Sequence, residues 1–209
     1  MLLPLLLAAC ENPFGGDVGR ALSGAFGPTA TQLDRMLIAE MESGEVDTAA
    51  TQVRVGLGRR TATAMLIQQQ GNRRMWRAPG GVVVETDGAR VVATSGLRTI
   101  IMGTRFDGPD PLQAPSALLE RSAETRRLVD LAADSREPAT MRFGIAFDCF
   151  LRAARTEEQG ILLVEERCRA SGLSAVVNLF WAEEASGRVL QAEQWVGTGQ
   201  PPMVISFAP

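Results

Sequence analysis

Residues 141–207 read MRFGIAFDCFLRAARTEEQGILLVEERCRASGLSAVVNLFWAEEASGRVLQAEQWVGTGQPPMVISF. Polar turns break this run into four or five apolar stretches, the sign of an antiparallel meander. Two of the three cysteines, Cys149 and Cys168, lie in it, equidistant from Glu158-Gln159. A tight hairpin turning at those two residues sets Cys149 directly opposite Cys168. Facing residues in an antiparallel pair have Cα atoms about 4.5 or 5.5 Å apart, and a disulfide accepts both distances. Side-chain alternation agrees with this register. Phe143, Ile145, Phe147, Cys149 and Leu151 share one face. Across from them stand Leu162, Val164, Cys168 and Ala170, with Glu166 the one member out of character. A slip of one residue would turn the whole set over, so the pattern supports the register. Free buried thiols are the alternative to a bond; the register favours the bond, which would close a loop of about 20 residues.

The chain opens MLLPLLLAAC. An apolar run ending in small residues before Cys10 has the form of a bacterial lipoprotein signal, cleaved before the cysteine that carries the lipid. Residues 1–9 hold no basic residue, although a secretory signal begins with one. The expectation is an abbreviated signal, or a start upstream of Met1. The apolar run is too short to span a membrane, which takes about 20 apolar residues. Glu11 follows the cysteine, where the enterobacterial sorting rule requires aspartate for retention at the inner membrane. The expected place is therefore the periplasmic face of the outer membrane. Residues 10–27, rich in Gly, Asn, Pro and Ser, read as a flexible tether.

Residues 28–209 suit one β-rich domain. Hydrophobic residues make up 45% of the chain, enough for a substantial core. The net charge of −3 argues against a nucleic-acid partner, which calls for a concentrated basic face. The chain has no His, Tyr or Lys. That removes Ser-His and Cys-His nucleophile pairs, Schiff-base lysines and histidine metal sites together. Neither a metal nor another cofactor is expected.

Leu33, Met36, Leu37, Glu40 and Met41 recur at helical spacing within 28–42, predicting an amphipathic helix. From Thr51 the period changes to two. Strands are predicted at 52–57, 61–68, 73–77, 82–85 and 90–94, with 97–102 continuing the sheet. Asp87-Gly88 between apolar runs is a strong hairpin signal. A loop with three prolines spans 107–115, and a short helix is expected over 116–123. Residues 126–131 fit either a continued helix or a strand. The last strand is expected near 203–207. The fold class is mostly β with minor α: an antiparallel meander forming a curved sheet, sandwich or open barrel.

Three acidic doublets, Glu157-Glu158, Glu165-Glu166 and Glu183-Glu184, raise the question of paired-carboxylate chemistry. The first and last fall in turns, and strand neighbours such as Glu165 and Glu166 point to opposite faces. Solvated carboxylates are the simpler reading, with Glu166 the exception on the apolar face. Trp76, Trp181 and Trp195 can stack on sugar rings, although large aromatics more often serve as packing.

Several segments resemble a known family. They are the cysteine motif at Cys10, Met75-Trp76, Asp87-Gly88 with the run 90–97, and Asn178-Leu179-Phe180-Trp181 followed by Ser186-Gly187-Arg188-Val189 and Gln194. Together they resemble the YjbF family of outer-membrane lipoproteins, the group 4 capsule polysaccharide, GfcB-like lipoproteins. Ala89, Phe180 and Ala192 depart from the family pattern. The resemblance implies a mostly antiparallel domain and a link to exopolysaccharide or capsule production, with no catalytic residues. It implies partners in an outer-membrane β-barrel and a periplasmic biogenesis protein, besides the membrane reached through the lipid. Trp76, Trp181, Trp195, Asn178 and Gln194 are then a candidate binding surface, extending to the polysaccharide itself. A different class of function, a sheet whose apolar concave face carries a lipid or acyl chain, is the alternative. A carbohydrate-active enzyme is a third, requiring two carboxylates facing each other across a cleft.

Overall fold

The computed structural model describes residues 51–133 and 137–207. Twelve strands run in chain order: β1 Gln52–Leu57, β2 Arg60–Gln70, β3 Arg73–Arg77, β4 Val83–Asp87, β5 Arg90–Ser95, β6 Thr99–Asp107, β7 Ala123–Ala133, β8 Arg142–Arg155, β9 Ile161–Ala170, β10 Val176–Glu183, β11 Val189–Gln194 and β12 Met203–Phe207. The expected signal, tether and amphipathic helix at 28–42, with Cys10, lie outside the described residues.

The β8–β9 hairpin has the predicted register, with Cys149 facing Cys168, Leu151 facing Glu166 and Ala153 facing Val164. A disulfide joins the two cysteines, whose Cα atoms are 4.0 Å apart. One member of the predicted face departs. Phe143 is 69% exposed rather than inward. Gly144 adopts φ +62°, a region that L side chains rarely enter, and the β7–β8 register shifts between Val129 and Leu131. This bulge inserts a residue and turns Phe143 to solvent.

All pairings are antiparallel, and the strands form one sheet in the order β5-β4-β3-β2-β1-β12-β11-β10-β9-β8-β7-β6. The first and last strands pair, Val53 facing Phe207. The sheet therefore wraps into a nearly closed barrel whose two edges, β5 and β6, are consecutive in the chain. The link between them allows no substitute for Gly96. It sits at φ +74°, and a Cβ there would lie 2.6 Å from the Gly81 carbonyl oxygen.

Side chains take over where the ladder stops. Ile101 N donates to Thr94 Oγ1 at 2.9 Å. The Gln194 amide lies against β5, accepting from Val91 N at 3.1 Å and donating to Ala89 O at 2.8 Å. Gln200 Nε2 donates to Thr99 O at 2.7 Å, and Thr99 Oγ1 donates to Thr198 O at 3.1 Å. Exposed strand edges invite pairing with other chains, and these bonds satisfy much of this one. The contact of Gln194 on β11 with β5 also shows that the barrel is flattened, since these strands stand far apart in the sheet order.

The inward positions of all twelve strands make the core. Trp76, Phe147, Phe180, Leu151, Leu162, Met203 and Ile205 are its largest fully buried apolar members. The short helix expected at 116–123 is corrected. The segment forms two 3-10 turns, Pro111–Gln113 and Pro115–Leu119, and Ala123 already opens β7. Prolines start both turns, and the stretch between them and β7 is too brief to propagate an α-helix. The ambiguous segment 126–131 is strand, with Arg127, Val129 and Leu131 inward on alternate positions.

Candidate functional site

The residue that broke the apolar pattern is the centre of the interior. Glu166 on β9 is 0% exposed. Register fixes its direction, because it alternates with Val164 and Cys168 on the inward face. A lone carboxylate there would be untenable, and two arginines meet it. Arg90 Nη1 lies 2.9 Å from Glu166 Oε1, a close ion pair without hydrogen-bond alignment. Arg127 Nη1 lies 3.4 Å from Glu166 Oε2. Asn178 Nδ2 donates to Oε2 at 2.5 Å, and Asn178 Oδ1 accepts from Trp195 N at 2.8 Å.

Arg90 reaches further. Its Nε and Nη2 donate to the two oxygens of Asp110 in the proline loop, the second at 2.9 Å. Its guanidinium sits 5.1 Å from the ring centroids of both Phe106 and Phe180, and that of Arg127 sits 5.7 Å from Phe147. Two cations and two carboxylates thus cancel in a cage of aromatic faces, where a cation is attracted to the ring quadrupole.

The electrostatics follow. Burial would raise the pKa of Glu166, but the charges of Arg127 and Arg90, with the hydrogen bond from Asn178, lower it to about 2. Burial also works against the Arg90 cation, yet Glu166 and Asp110 raise its pKa overall. Burial prevails at Arg127 and lowers its pKa. The Cys149 and Cys168 sulfurs and the Glu166 carboxylate lie within 4.8 Å of one another. Because the sulfurs are bonded together, the group offers no thiolate for a metal.

Three other acidic residues of the doublets, Glu165, Glu183 and Glu184, sit outside and are held ionised. The hydrogen bond from Arg167 lowers Glu165, that from Arg188 lowers Glu183, and that from Arg155 lowers Glu184. A general acid for glycoside cleavage needs the opposite shift.

A cavity of about 720 Å³ opens beside the cluster. The β2–β3 turn and β3 supply Asn72, Arg73 and Arg74; the β4–β5 turn supplies Asp87 to Arg90. The end of β6 and the proline loop supply Arg105, Phe106, Asp110 and Gln113; Arg188 and Phe207 also line it. The Arg90–Asp110 pair is thus both wall of the cavity and edge of the interior cluster.

The candidate binding residues divide. Trp76, Asn178 and Gln194 are buried, at 1%, 1% and 2% exposure. Trp76 Nε1 donates to Thr86 Oγ1 at 3.1 Å, and the two amides are engaged as described. They lie inside the barrel rather than on a surface. Trp195 is half-buried against Phe147, its ring centroid 5.4 Å away. Trp181 is half-buried on the outer face of β10. These five do not form one patch. Sequence reasoning missed Arg90 and Arg127 as the partners of Glu166. The available signal was charge on inward-phased positions of β5 and β7, opposite in sign to Glu166.

Residues 25–207 match the family model described as group 4 capsule polysaccharide lipoprotein gfcB, YjbF. The chain belongs to the YjbF family. Among solved structures it is similar to the hypothetical lipoprotein YmcC from Escherichia coli (K12), with a TM-score of 0.67 and 17% sequence identity. That likeness covers 88% of this chain and 98% of the other, and it concerns the fold. None of the curated proteins compared matches this one. Apart from Cys10, the segments quoted above for the resemblance fall on β3, at the β4–β5 hairpin and on β10 and β11, and they include Arg90, Asn178 and Gln194.

Proposed function

We propose that this YjbF-family protein is a non-enzymatic accessory lipoprotein of exopolysaccharide or capsule production. Lipid on Cys10 holds it at the periplasmic face of the outer membrane. It acts by binding, alongside an outer-membrane β-barrel and a periplasmic biogenesis protein. The observation that carries this reading is the family match across residues 25–207. The interior supports the non-enzymatic part, because its buried carboxylate is committed to two arginines and an amide and held near pKa 2. The acyl-carrier alternative calls for an apolar cavity. The cavity described here mixes five arginines and two aspartates with its apolar residues, and the barrel interior is occupied by Trp76, Phe147, Phe180 and the charged cluster.

Deletion of the gene should lower secreted polysaccharide, and the wild-type gene should restore it. A Cys10→Ala gene should restore little and leave the protein in the soluble periplasmic fraction. Unchanged polysaccharide in the deletion, under conditions where it is normally made, would refute the role.

A further inference from the structure

Among the described residues, the cavity beside the charged cluster has one arginine without a carboxylate partner. Arg74 on β3 shares the inward face with Trp76, two residues on, so its guanidinium points into the mouth of the barrel. The other arginines of the wall are each engaged: Arg73 with Glu85, Arg90 with Asp110 and Glu166, Arg105 with Asp130, and Arg188 with Glu183. Arg74 has no carboxylate partner among the described residues, and its buried Nε has no acceptor. Buried donors in folded proteins are nearly always satisfied, so such a group calls for a partner from elsewhere.

We propose that this cavity binds an acidic sugar unit of a polysaccharide chain, with Arg74 pairing its carboxylate. The inference rests on the functional reading above and supplies its ligand class. Arginine recognises a carboxylate through two parallel N–H donors. Asn72 and Gln113, also on the wall, offer amides for hydroxyl groups, and Phe106 and Phe207 offer apolar faces for the C–H side of a sugar ring. The volume of about 720 Å³ falls within the range of small-ligand sites, about 300 to 1,000 Å³. The cavity opens to solvent between turns, which suits a unit within a longer chain.

The test is calorimetric titration of the full chain in detergent with trigalacturonate, maltotriose and inorganic phosphate. Trigalacturonate should bind, with maltotriose and phosphate at least about tenfold weaker. Arg74→Gln should weaken trigalacturonate by about tenfold or more, the loss expected for a charge-assisted pair. Arg74→Lys should retain part of the affinity. Arg54→Gln, on the outer face of β1, should change nothing. Equal binding of maltotriose removes the acidic component, and phosphate binding as tightly as the trisaccharide reduces the site to a simple anion site. No binding of trigalacturonate, no effect of Arg74→Gln in a protein with a native melting curve, or an equal loss in Arg54→Gln would overturn the proposal. Failure here with polysaccharide still dependent on the gene sinks the ligand assignment alone. Polysaccharide independent of the gene sinks the reading beneath it.

Discussion

Glu166→Gln removes one charge from the interior while keeping its volume. Glu166 stands 2.9 Å from Arg90 and 3.4 Å from Arg127, and no part of it is exposed. The cluster then changes from two cations and two anions to two cations and one anion, with Asp110 pairing Arg90 and no carboxylate pairing Arg127. The magnitude can be reached in two ways. Depression of the Glu166 pKa from its ordinary value of about 4.3 to about 2 corresponds to a preference for the charged form on the order of 3 kcal/mol, at 1.36 kcal/mol per unit. Breaking a buried pair by removing one partner costs about 3 to 5 kcal/mol in other proteins. Both point to a loss of roughly 3 kcal/mol, a large part of the 5–15 kcal/mol that domains typically possess. Urea unfolding with the disulfide intact should show the midpoint falling by about 1 to 3 M with little change in slope.

The same pair has a pH signature. The folded-state pKa of Glu166 lies below its unfolded value of about 4.3, so its contribution is fully present above pH 4.3 and is lost as pH falls toward 2. The wild type should therefore lose more stability between pH 5 and 2 than Glu166→Gln does. Adding Arg127→Met to Glu166→Gln removes the stranded cation and should return much of the loss, because buried ion pairs replaced whole are often neutral. A loss below about 1 kcal/mol in Glu166→Gln would refute the reasoning, as would a double variant less stable than the single.

Three further perturbations test the hairpin crosslink and the closure of the barrel. Cys149→Ala with Cys168→Ala opens a loop with a sequence separation of 19 and should lower stability by about 3 kcal/mol, measured by urea unfolding. Gly96→Ala meets the Gly81 carbonyl at 2.6 Å in a left-handed conformation and should cost more than about 2 kcal/mol, whereas Gly71→Ala, with open space around it, should cost only about 1 kcal/mol of backbone strain. Equal melting points for the two would refute the close approach. Gln194→Ala leaves Ala89 O and Val91 N without their partner and should cost about 1 to 3 kcal/mol. Gln194→Glu should not rescue it, since a carboxylate cannot donate to Ala89 O. Hydrogen exchange at the Val91 amide is the local readout.

The local parts of this fold were legible because they depend on local physics. Alternation located nearly every strand, Asp87-Gly88 located a hairpin, and the spacing of Cys149 and Cys168 around Glu158-Gln159 gave the register of β8 and β9. Phe143 was misread because a single glycine bulge resets the phase of everything before it, and nothing in the apolar pattern reports the bulge. The 3-10 turns at 111–119 were misread because apolar spacing over a few residues fits several backbones. The site was half legible. Glu166 announced itself as a charge on an apolar face, but Arg90 and Arg127 sit on β5 and β7 and meet it only across the closed interior. Asn178 and Gln194 read as surface amides because their partners, Glu166 and the edge of β5, are likewise brought together by closure.

Closure itself explains why so much polarity is buried. A sequential meander can curl until its ends meet, but hydrophobic burial alone does not fix where the two edge strands stop. In this barrel β5 is held at both levels by polar groups. Gln194 pairs with its backbone, and Arg90, its first residue, is fixed between Glu166 and Asp110. Such bonds are directional and costly to leave unmade, whereas apolar contacts tolerate sliding. We therefore take the cluster as a device that specifies position more than one that adds stability, which is the role buried ion pairs can hold. The double variant Glu166→Gln/Arg127→Met separates the two. Recovered stability together with faster exchange at Val91 would mean that β5 has lost its fixed place while the core has not suffered. Recovered stability with native exchange would mean that Gln194 and the apolar core suffice, and the specifying role would fall. The answer reaches the cavity, because Asp110, the wall residue held by Arg90, takes its position from the same arginine that Glu166 holds from within.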